Sequence, residues 1–200
     1  MKINQVFIAT QNQGKVKEFK AFFGEKGIEV KSLADVDETI DVVENGSTFE
    51  ENAIIKAETI GKMIQHPVIA DDSGLEVTAL NGEPGIFSAR YAGVGKDDAA
   101  NNRKLLEKLD GVPVKQRGAR FVCALAVYIP GKETQTIRGV CDGLIAYEPV
   151  GTNGFGYDPL FFLPSLNKTM AQLDRKEKNT VSHRANALKQ LAKKWNEWFR

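Results

Sequence analysis

Two adjacent carboxylates, a hydroxyl and a glycine interrupt the apolar stretch Val68-Ile69-Ala70-Asp71-Asp72-Ser73-Gly74-Leu75. Carboxylates can ligate a hard divalent cation or take a proton from water. Pro67 opens the run, and Val68-Ile69-Ala70 reads as the end of a buried strand. Open α/β sheets place their ligands at such strand ends. Neighbouring strand residues point to opposite faces, so Asp71 and Asp72 should do different work. One can face a site while the other ties down the backbone. Gly74 permits a turn and a close approach of ligand to main chain. A plain Asp-Ser-Gly turn is the competing reading, so the rest of the chain must decide.

Four other stretches carry chemistry. Thr10-Gln11-Asn12-Gln13-Gly14-Lys15 is a polar loop between a short strand, Val6–Ala9, and a helix bearing Val16, Phe19, Phe22 and Phe23 on one face. It resembles a phosphate-binding loop, in which N–H groups at a helix start meet an anion. It is not a Walker A loop, which requires Gly at position 9 and Ser or Thr at position 16. An ordinary βα connection with a solvated lysine is the alternative. Glu44 stands in a loop before a second helix, near a glycine, as a plausible ligand. That helix opens on Thr48-Phe49-Glu50-Glu51, a capping-box pattern that gives Glu51 a structural role. Ala53, Ala57, Ile60 and Ile64 form its apolar face, and Lys56 falls on its surface by spacing.

Gly151-Thr152-Asn153-Gly154-Phe155-Gly156-Tyr157-Asp158-Pro159 is rich in glycine and aromatics. Its glycines would admit a flat ligand, and Phe155 or Tyr157 could stack on it; a bulged hairpin turn is the alternative. Lys178, His183 and Arg184 stand just before or at the start of the last helix, whose apolar face is Leu188, Leu191, Trp195 and Trp198. Cations there oppose the helix dipole, so they look placed to receive an acceptor-rich ligand.

Further strands are expected at Glu29–Leu33, Leu75–Leu80, Arg120–Ile129, Thr134–Val140 and Gly143–Tyr147, and a helix from Asp97 to Leu109. The Arg120 strand is apolar on both alternations and should be central. This order predicts an α/β or α+β mixed sheet with helices on its faces and a hairpin-rich half as a second lobe. The 200 residues form one large domain or two small lobes, and 42% hydrophobic with 26% charged side chains is ordinary for a globular protein. A net charge of +1 gives no general attraction to nucleic acid or anionic membrane. No apolar run approaches the roughly 18–20 residues of a membrane span. Met1-Lys2-Ile3-Asn4-Gln5 lacks a signal-peptide pattern. Cys123, inside a strand, and Cys141, just after one, read as buried thiols of a reducing compartment, so the protein is expected in the cytoplasm. The charge is uneven. Seven acidic residues (Asp35, Asp37, Glu38, Asp41, Glu44, Glu50, Glu51) occur without Lys or Arg, and nine basic residues between Lys168 and Arg200 face three acidic ones. That pattern suits a metal and a polyanion, or two solvated faces.

Six segments occur together and in order: Thr10-x-Asn12-x-x-Lys15, the Glu44-to-Asn52 region, Asp71-Asp72-Ser73-Gly74-Leu75, Pro84-Gly85 with Ser88-Ala89-Arg90-Tyr91, Gly154-Phe155-Gly156-Tyr157-Asp158-Pro159, and Ser182-His183-Arg184. With them the chain resembles, over essentially its whole length, the inosine/xanthosine triphosphate pyrophosphatases. The resemblance implies conversion of ITP, dITP and XTP to the monophosphate and pyrophosphate with Mg²⁺, Mn²⁺ being able to substitute. It implies an elongated mixed α/β fold, a single domain with two lobes around a deep nucleotide-binding cleft, and a homodimer. Carried over, Thr10, Gln11, Asn12, Gln13, Gly14 and Lys15 hold the phosphates, Asp72 is the catalytic carboxylate, and Ser73 touches the substrate. Glu44 and Asp72 serve the metal; Phe155, Gly156, Tyr157, Asp158, Lys178, His183 and Arg184 form the base pocket. A hydrolase of the same architecture with another base preference and a nucleotide-binding module without catalysis are the rival readings.

Overall fold

The computed structural model describes residues 4–35 and 42–199. Asp37, Glu38 and Asp41 of the acidic stretch, residues 1–3 and Arg200 lie outside the described residues. Strands and helices alternate at first: β1 (Gln5–Ala9), α1 (Gln13–Gly24), β2 (Glu29–Ser32), α2 (Phe49–Ile64) and β3 (Val68–Val77). There follow α3 (Asp98–Lys108), β4 (Gly118–Tyr128), β5 (Gln135–Ile145), the short β6 (Phe161–Leu163) and β7 (Lys168–Thr169), then α4 (Arg175–Val181) and α5 (His183–Trp198). Among the described residues the strands form one sheet in the order β2-β1-β3-β4-β5-β6-β7. β1 runs parallel to β2 and β3, whereas β5–β6 and β6–β7 are antiparallel. The sheet is therefore mixed and flanked by helices, as the sequence predicts.

Two compact units divide the chain. The first takes the chain up to Asp72, Cys123–Gly139 and the chain from Ala187; the second takes Ser73–Val122 and Val140–Asn186. Val6, Ile8, Phe19, Phe23, Ile69, Leu125, Leu188 and Leu191 form the core of the first. Leu75, Val77, Leu105, Leu109, Phe121, Phe161 and Leu163 form the core of the second. Caps account for the helix starts: Asn12, Thr48 and Asp97 accept from the backbone N–H groups of Lys15, Glu51 and Ala100. From Phe121 to Tyr128 every residue of β4 is buried, as expected of a strand covered on both sides. Among the described residues no helix is long and apolar enough to cross a membrane.

Three boundaries differ from expectation. Val68–Ala70 does not end a strand at the carboxylates, and Leu75–Leu80 is not a separate one. β3 runs unbroken through Asp71-Asp72-Ser73-Gly74 to Val77, so neither a turn nor a sheet edge lies there. Polar side chains are tolerated in a central strand because each finds a partner, as described below. Beyond Val77 the chain enters a 3₁₀ turn, Thr78–Leu80, not more strand. Likewise Thr134–Val140 and Gly143–Tyr147 are one strand, β5. A Cβ on Gly143 would lie 2.6 Å from both the Phe161 ring and the Phe162 carbonyl oxygen. The glycine marks a close approach of β6, not a strand end. Cys141 consequently sits inside β5; it and Cys123 are free and buried, and burial pushes the Cys141 thiol up to about 11.

Gly143→Ala should therefore destabilise the protein by about 1–3 kcal/mol, because overpacking against backbone outweighs alanine's lower chain entropy. That corresponds to a Tm loss of about 2–4 °C per kcal/mol at this chain length. Urea unfolding checks the sign; an unchanged or raised midpoint would show that β6 yields freely.

Candidate active site

Asp71 and Asp72 fall on opposite faces of β3, as strand alternation requires. They are 1% and 9% exposed. Asp71 forms an ion pair with Lys15 of α1, and the Cys123 thiol of β4 donates to its other oxygen at 3.2 Å. Asp72 turns to α2 instead. Asn52 Nδ2 donates to its Oδ2 at 3.3 Å, and Lys56 Nζ lies 3.4 Å from Oδ1. Asp71 is thus the anchored member of the pair.

Lys56 overturns a sequence expectation. It is not a solvated surface lysine: its side chain is 13% exposed, and Nζ reaches Glu44 Oε2 at 3.2 Å as well as Asp72. It also donates to the Asp71 carbonyl at 3.1 Å. Asn52, in the sequence only the end of the Glu44-to-Asn52 segment, has a role of its own. Its Oδ1 accepts from Gly46 N–H at 2.8 Å while Nδ2 holds Asp72, so one side chain ties the loop carrying Glu44 to the catalytic candidate. The signal that could have found both is their spacing: Asn52 and Lys56 are one helical turn apart on one face of α2. Glu51 is occupied elsewhere. Its carboxylate accepts from the backbone N–H and hydroxyl of Ser47, at 2.6 and 2.7 Å, and these bonds hold its pKa below the usual carboxylate range. It reaches Ser47, one residue before the N-cap, so its role is structural but is not the reciprocal bond of a capping box.

The donor set fits the implied metal. Asp72 and Glu44 already converge on one cationic group, the Lys56 ammonium, and both offer hard oxygens of the kind Mg²⁺ and Mn²⁺ prefer. Among the described residues no group of three or more His, Cys, Asp or Glu side chains could hold a metal. Two carboxylates suit an ion that keeps waters and substrate oxygens.

In the first loop, Thr10 Oγ1 accepts from Asn12 N–H at 3.1 Å, and Asn12 Oδ1 accepts from Lys15 N–H at 3.1 Å. Both side chains shape the loop and cap α1. Lys15 N–H is taken by the cap, so the amides of Gln13 and Gly14 are the first-turn donors left to meet an anion. Gln11 and Gln13 are exposed, and Gly14 is half-buried.

A second cluster lies in the other unit. Asp158 is buried and accepts from Lys178 Nζ at 2.6 Å and from Phe155 N–H at 2.9 Å. The Lys178 ammonium lies 4.7 Å from the centre of the half-buried Phe155 ring. Arg184, 1% exposed, donates to Ser73 Oγ at 2.9 Å. His183 stacks on Phe121 with ring centroids 4.8 Å apart. Tyr157 is not placed to stack on a ligand: it is buried, and its hydroxyl donates to the Ser88 carbonyl at 2.8 Å. Lys178 does not stand at the start of the last helix either. It lies in the last turn of α4, where a cation complements the dipole. His183 and Arg184 do open α5.

Burial pushes the Asp72 carboxyl above its ordinary value, with Lys56 the strongest charge opposing the rise. Burial alone would pull Lys56 down, but the charges of Asp72, Glu44 and Asp71 outweigh it and hold the ammonium above the usual lysine value. The two shifts agree: the lysine stays charged, and the aspartate is not fully compensated. In the metal-free protein Asp72 should titrate above 3.8, and Lys56→Met should move it higher still. The sign for stability follows. This carboxyl favours the folded state fully below its unfolded pKa, and that contribution is lost as pH rises through the folded one. Carbon-13 carboxyl NMR reads the midpoint; a value that Lys56→Met leaves in place would refute the coupling.

Known proteins match the chain over nearly its whole length. The Ham1 family model matches residues 6–194. A dITP/XTP pyrophosphatase of Geobacillus kaustophilus is 57% identical over 195 residues, spanning 98% of this chain and 96% of that protein. Another, of Bacillus licheniformis, is 56% identical over 190 residues, spanning 95% and 97%. The solved structure of the Staphylococcus aureus Ham1 protein superposes with a TM-score of 0.87 at 48% identity, covering 98% of this chain and 100% of that one. The resemblance carried by the six segments thus holds over the full sheet and both units, and the chain belongs to the Ham1 family.

Proposed function

We propose that the protein hydrolyses non-standard purine nucleoside triphosphates (ITP, dITP and XTP) to the monophosphate and pyrophosphate, with Mg²⁺. The observation that carries the chemistry is the buried Asp72 carboxylate, raised in pKa and sharing one ammonium with Glu44. A carboxylate raised in this way is a stronger base than an ordinary aspartate and retains affinity for a cation. The names of the relatives support the substrate class.

In this reading the first amides of α1 and the Lys15 ammonium receive the polyphosphate. Asp71 presets Lys15 before substrate arrives. Asp72 orients a water and takes its proton during in-line attack at the α-phosphorus. Lys56 adds a second cation whose position is fixed by three oxygens. Glu44 and Asp72 would hold Mg²⁺, which would supply Lewis-acid polarisation of the phosphoryl oxygen and charge stabilisation for the leaving pyrophosphate.

Base choice follows from hydrogen-bond polarity. Hypoxanthine and xanthine carry an oxygen at C6, adenine an amino group. Lys178, His183 and Arg184 offer donors, which suit the oxygen and leave the amine opposed. Lys178 is paired with Asp158, yet an ammonium has three hydrogens. Guanine shares the oxygen, so its rejection must act through the 2-amino group. The proposal also takes the protein to be a cytoplasmic homodimer, with two free buried thiols in keeping with a reducing compartment.

Product analysis on ITP, dITP, XTP, GTP and ATP tests the proposal. The expected products from the first three are monophosphate and pyrophosphate, with turnover abolished by excess chelator. Asp72→Asn should lower kcat by about 10²–10⁴-fold or more while nucleotide binding persists. Release of orthophosphate, or full turnover in chelator, would overturn it.

A further inference from the structure

Helix α3 carries no residue assigned to substrate or metal, yet its first turn grips the segment proposed to take the base. Asp98 and Asn102 are one helical turn apart. Asp98 Oδ2 accepts from Gly156 N–H at 2.7 Å, and Asn102 Nδ2 donates to Gly156 C=O at 2.9 Å. Both polar atoms of one residue are thereby held from a single helix face. Gly156 has φ of +62°, a conformation that glycine adopts without penalty and that sets the directions of Phe155 and Tyr157 on either side. The neighbouring bonds complete the hold: Asp158 fixes Phe155 N–H, and Ser88 fixes the Tyr157 hydroxyl.

Asn102 is arranged for this contact at a cost. Its Nδ2 also donates to the Asp98 carbonyl at 2.9 Å, so both amide hydrogens meet carbonyl oxygens and the amide cannot be flipped. Its Oδ1 is left buried with no hydrogen-bond partner among the described residues. An unsatisfied buried acceptor is destabilising, and such groups concentrate where position matters more than stability. A helix needing only a cap would not require it, since Asp97 already caps α3.

We infer that Asp98 and Asn102 are positioning residues for base selection, holding the Gly156 peptide so that Phe155 and the Asp158–Lys178 pair present a fixed face to the purine. The inference rests on the reading that this segment takes the base. Small displacements of such a platform alter how well one base is told from another before they alter the chemistry at phosphorus.

The test compares Asn102→Leu, nearly isosteric and a good helix former, with Asp98→Ala and Asp98→Asn. The ratio of kcat/KM for dITP over dGTP should fall about tenfold to a hundredfold in Asn102→Leu and Asp98→Ala, through KM, with kcat little changed. Asp98→Asn should keep the ratio, because an amide oxygen still accepts from Gly156 N–H. A merely structural role predicts equal losses on both substrates and a lowered Tm, and that result, or an unchanged ratio in both disruptive variants, overturns the inference. Calorimetric binding of IMP and GMP reads base selection without turnover. Wild-type protein that distinguishes IMP from GMP but hydrolyses no triphosphate would sink the proposed activity alone. Loss of that distinction in Asn102→Leu would still support the positioning role, and wild-type protein that binds neither nucleotide and hydrolyses no triphosphate would overturn both.

Discussion

Everything in the first unit turns on keeping the charge of Asp72 inside the protein. Burial of an ion costs several kcal/mol, and attraction to an opposite charge about 4 Å away returns on the order of 4 kcal/mol at an effective dielectric near 20. Lys56 lies 3.4 Å from Asp72 but also serves Glu44 and the Asp71 carbonyl. Its charge is shared, and the balance is left short. Three carboxylates, Glu44, Asp71 and Asp72, face two ammonium groups, Lys15 and Lys56. The residual negative charge favours a further cation, and the incomplete compensation keeps the Asp72 carboxyl basic.

The second unit solves a different problem. Its buried ion pair, Asp158 with Lys178, is close at 2.6 Å, and the carboxylate is further bound by a backbone N–H. A well-made buried pair contributes little net stability compared with apolar residues, but it fixes direction. Phe155 is held by the same carboxylate that holds the ammonium above its ring. Arg184 is likewise buried at the start of α5, committed to Ser73. Preset donors of this kind do not have to be ordered by the ligand, which lowers the entropic cost of recognition.

The long helices were legible in the sequence because the 3.6-residue period is a local signal, and Thr48 stands where the capping-box pattern puts it. The caps Asn12 and Asp97 and the seven-residue α4 are seen only in the structure. The breaks assigned within β3 and β5 were not real, for one shared reason. Polar or glycine residues inside a strand look like punctuation until their partners are known, and those partners come from distant segments: Lys15 and Lys56 for the aspartates, Phe161 and Phe162 for Gly143. Lys56 follows the same rule. Its spacing marks a helix surface, but whether a helix surface meets water or a neighbouring strand is a tertiary fact. Tyr157 shows the opposite case: an aromatic in a glycine-rich loop has the look of a ligand platform but is a core residue with a satisfied hydroxyl.

A central strand is a demanding place for two charged residues, and sheet register explains why the pair works there. β1 pairs with β3 in parallel from Phe7 opposite Val68 to Ala9 opposite Ala70. β1 then ends, and the polar loop begins level with the first carboxylate. α1 therefore starts beside Asp71, and Lys15 in its first turn meets that residue. Because side chains alternate, the next carboxylate is turned away from Lys15 and toward α2, where Asn52 and Lys56 wait one turn apart. A one-residue slip would exchange the two carboxylates between α1 and α2 and leave each with the wrong cation. The apolar residues on either side, Val68, Ile69, Ala70, Leu75 and Val77, are all buried, and the two aspartates with their separate cations add the difference between the faces that fixes the register. The same packing that makes β3 a core strand thus assigns one aspartate to anchoring and leaves the other for chemistry.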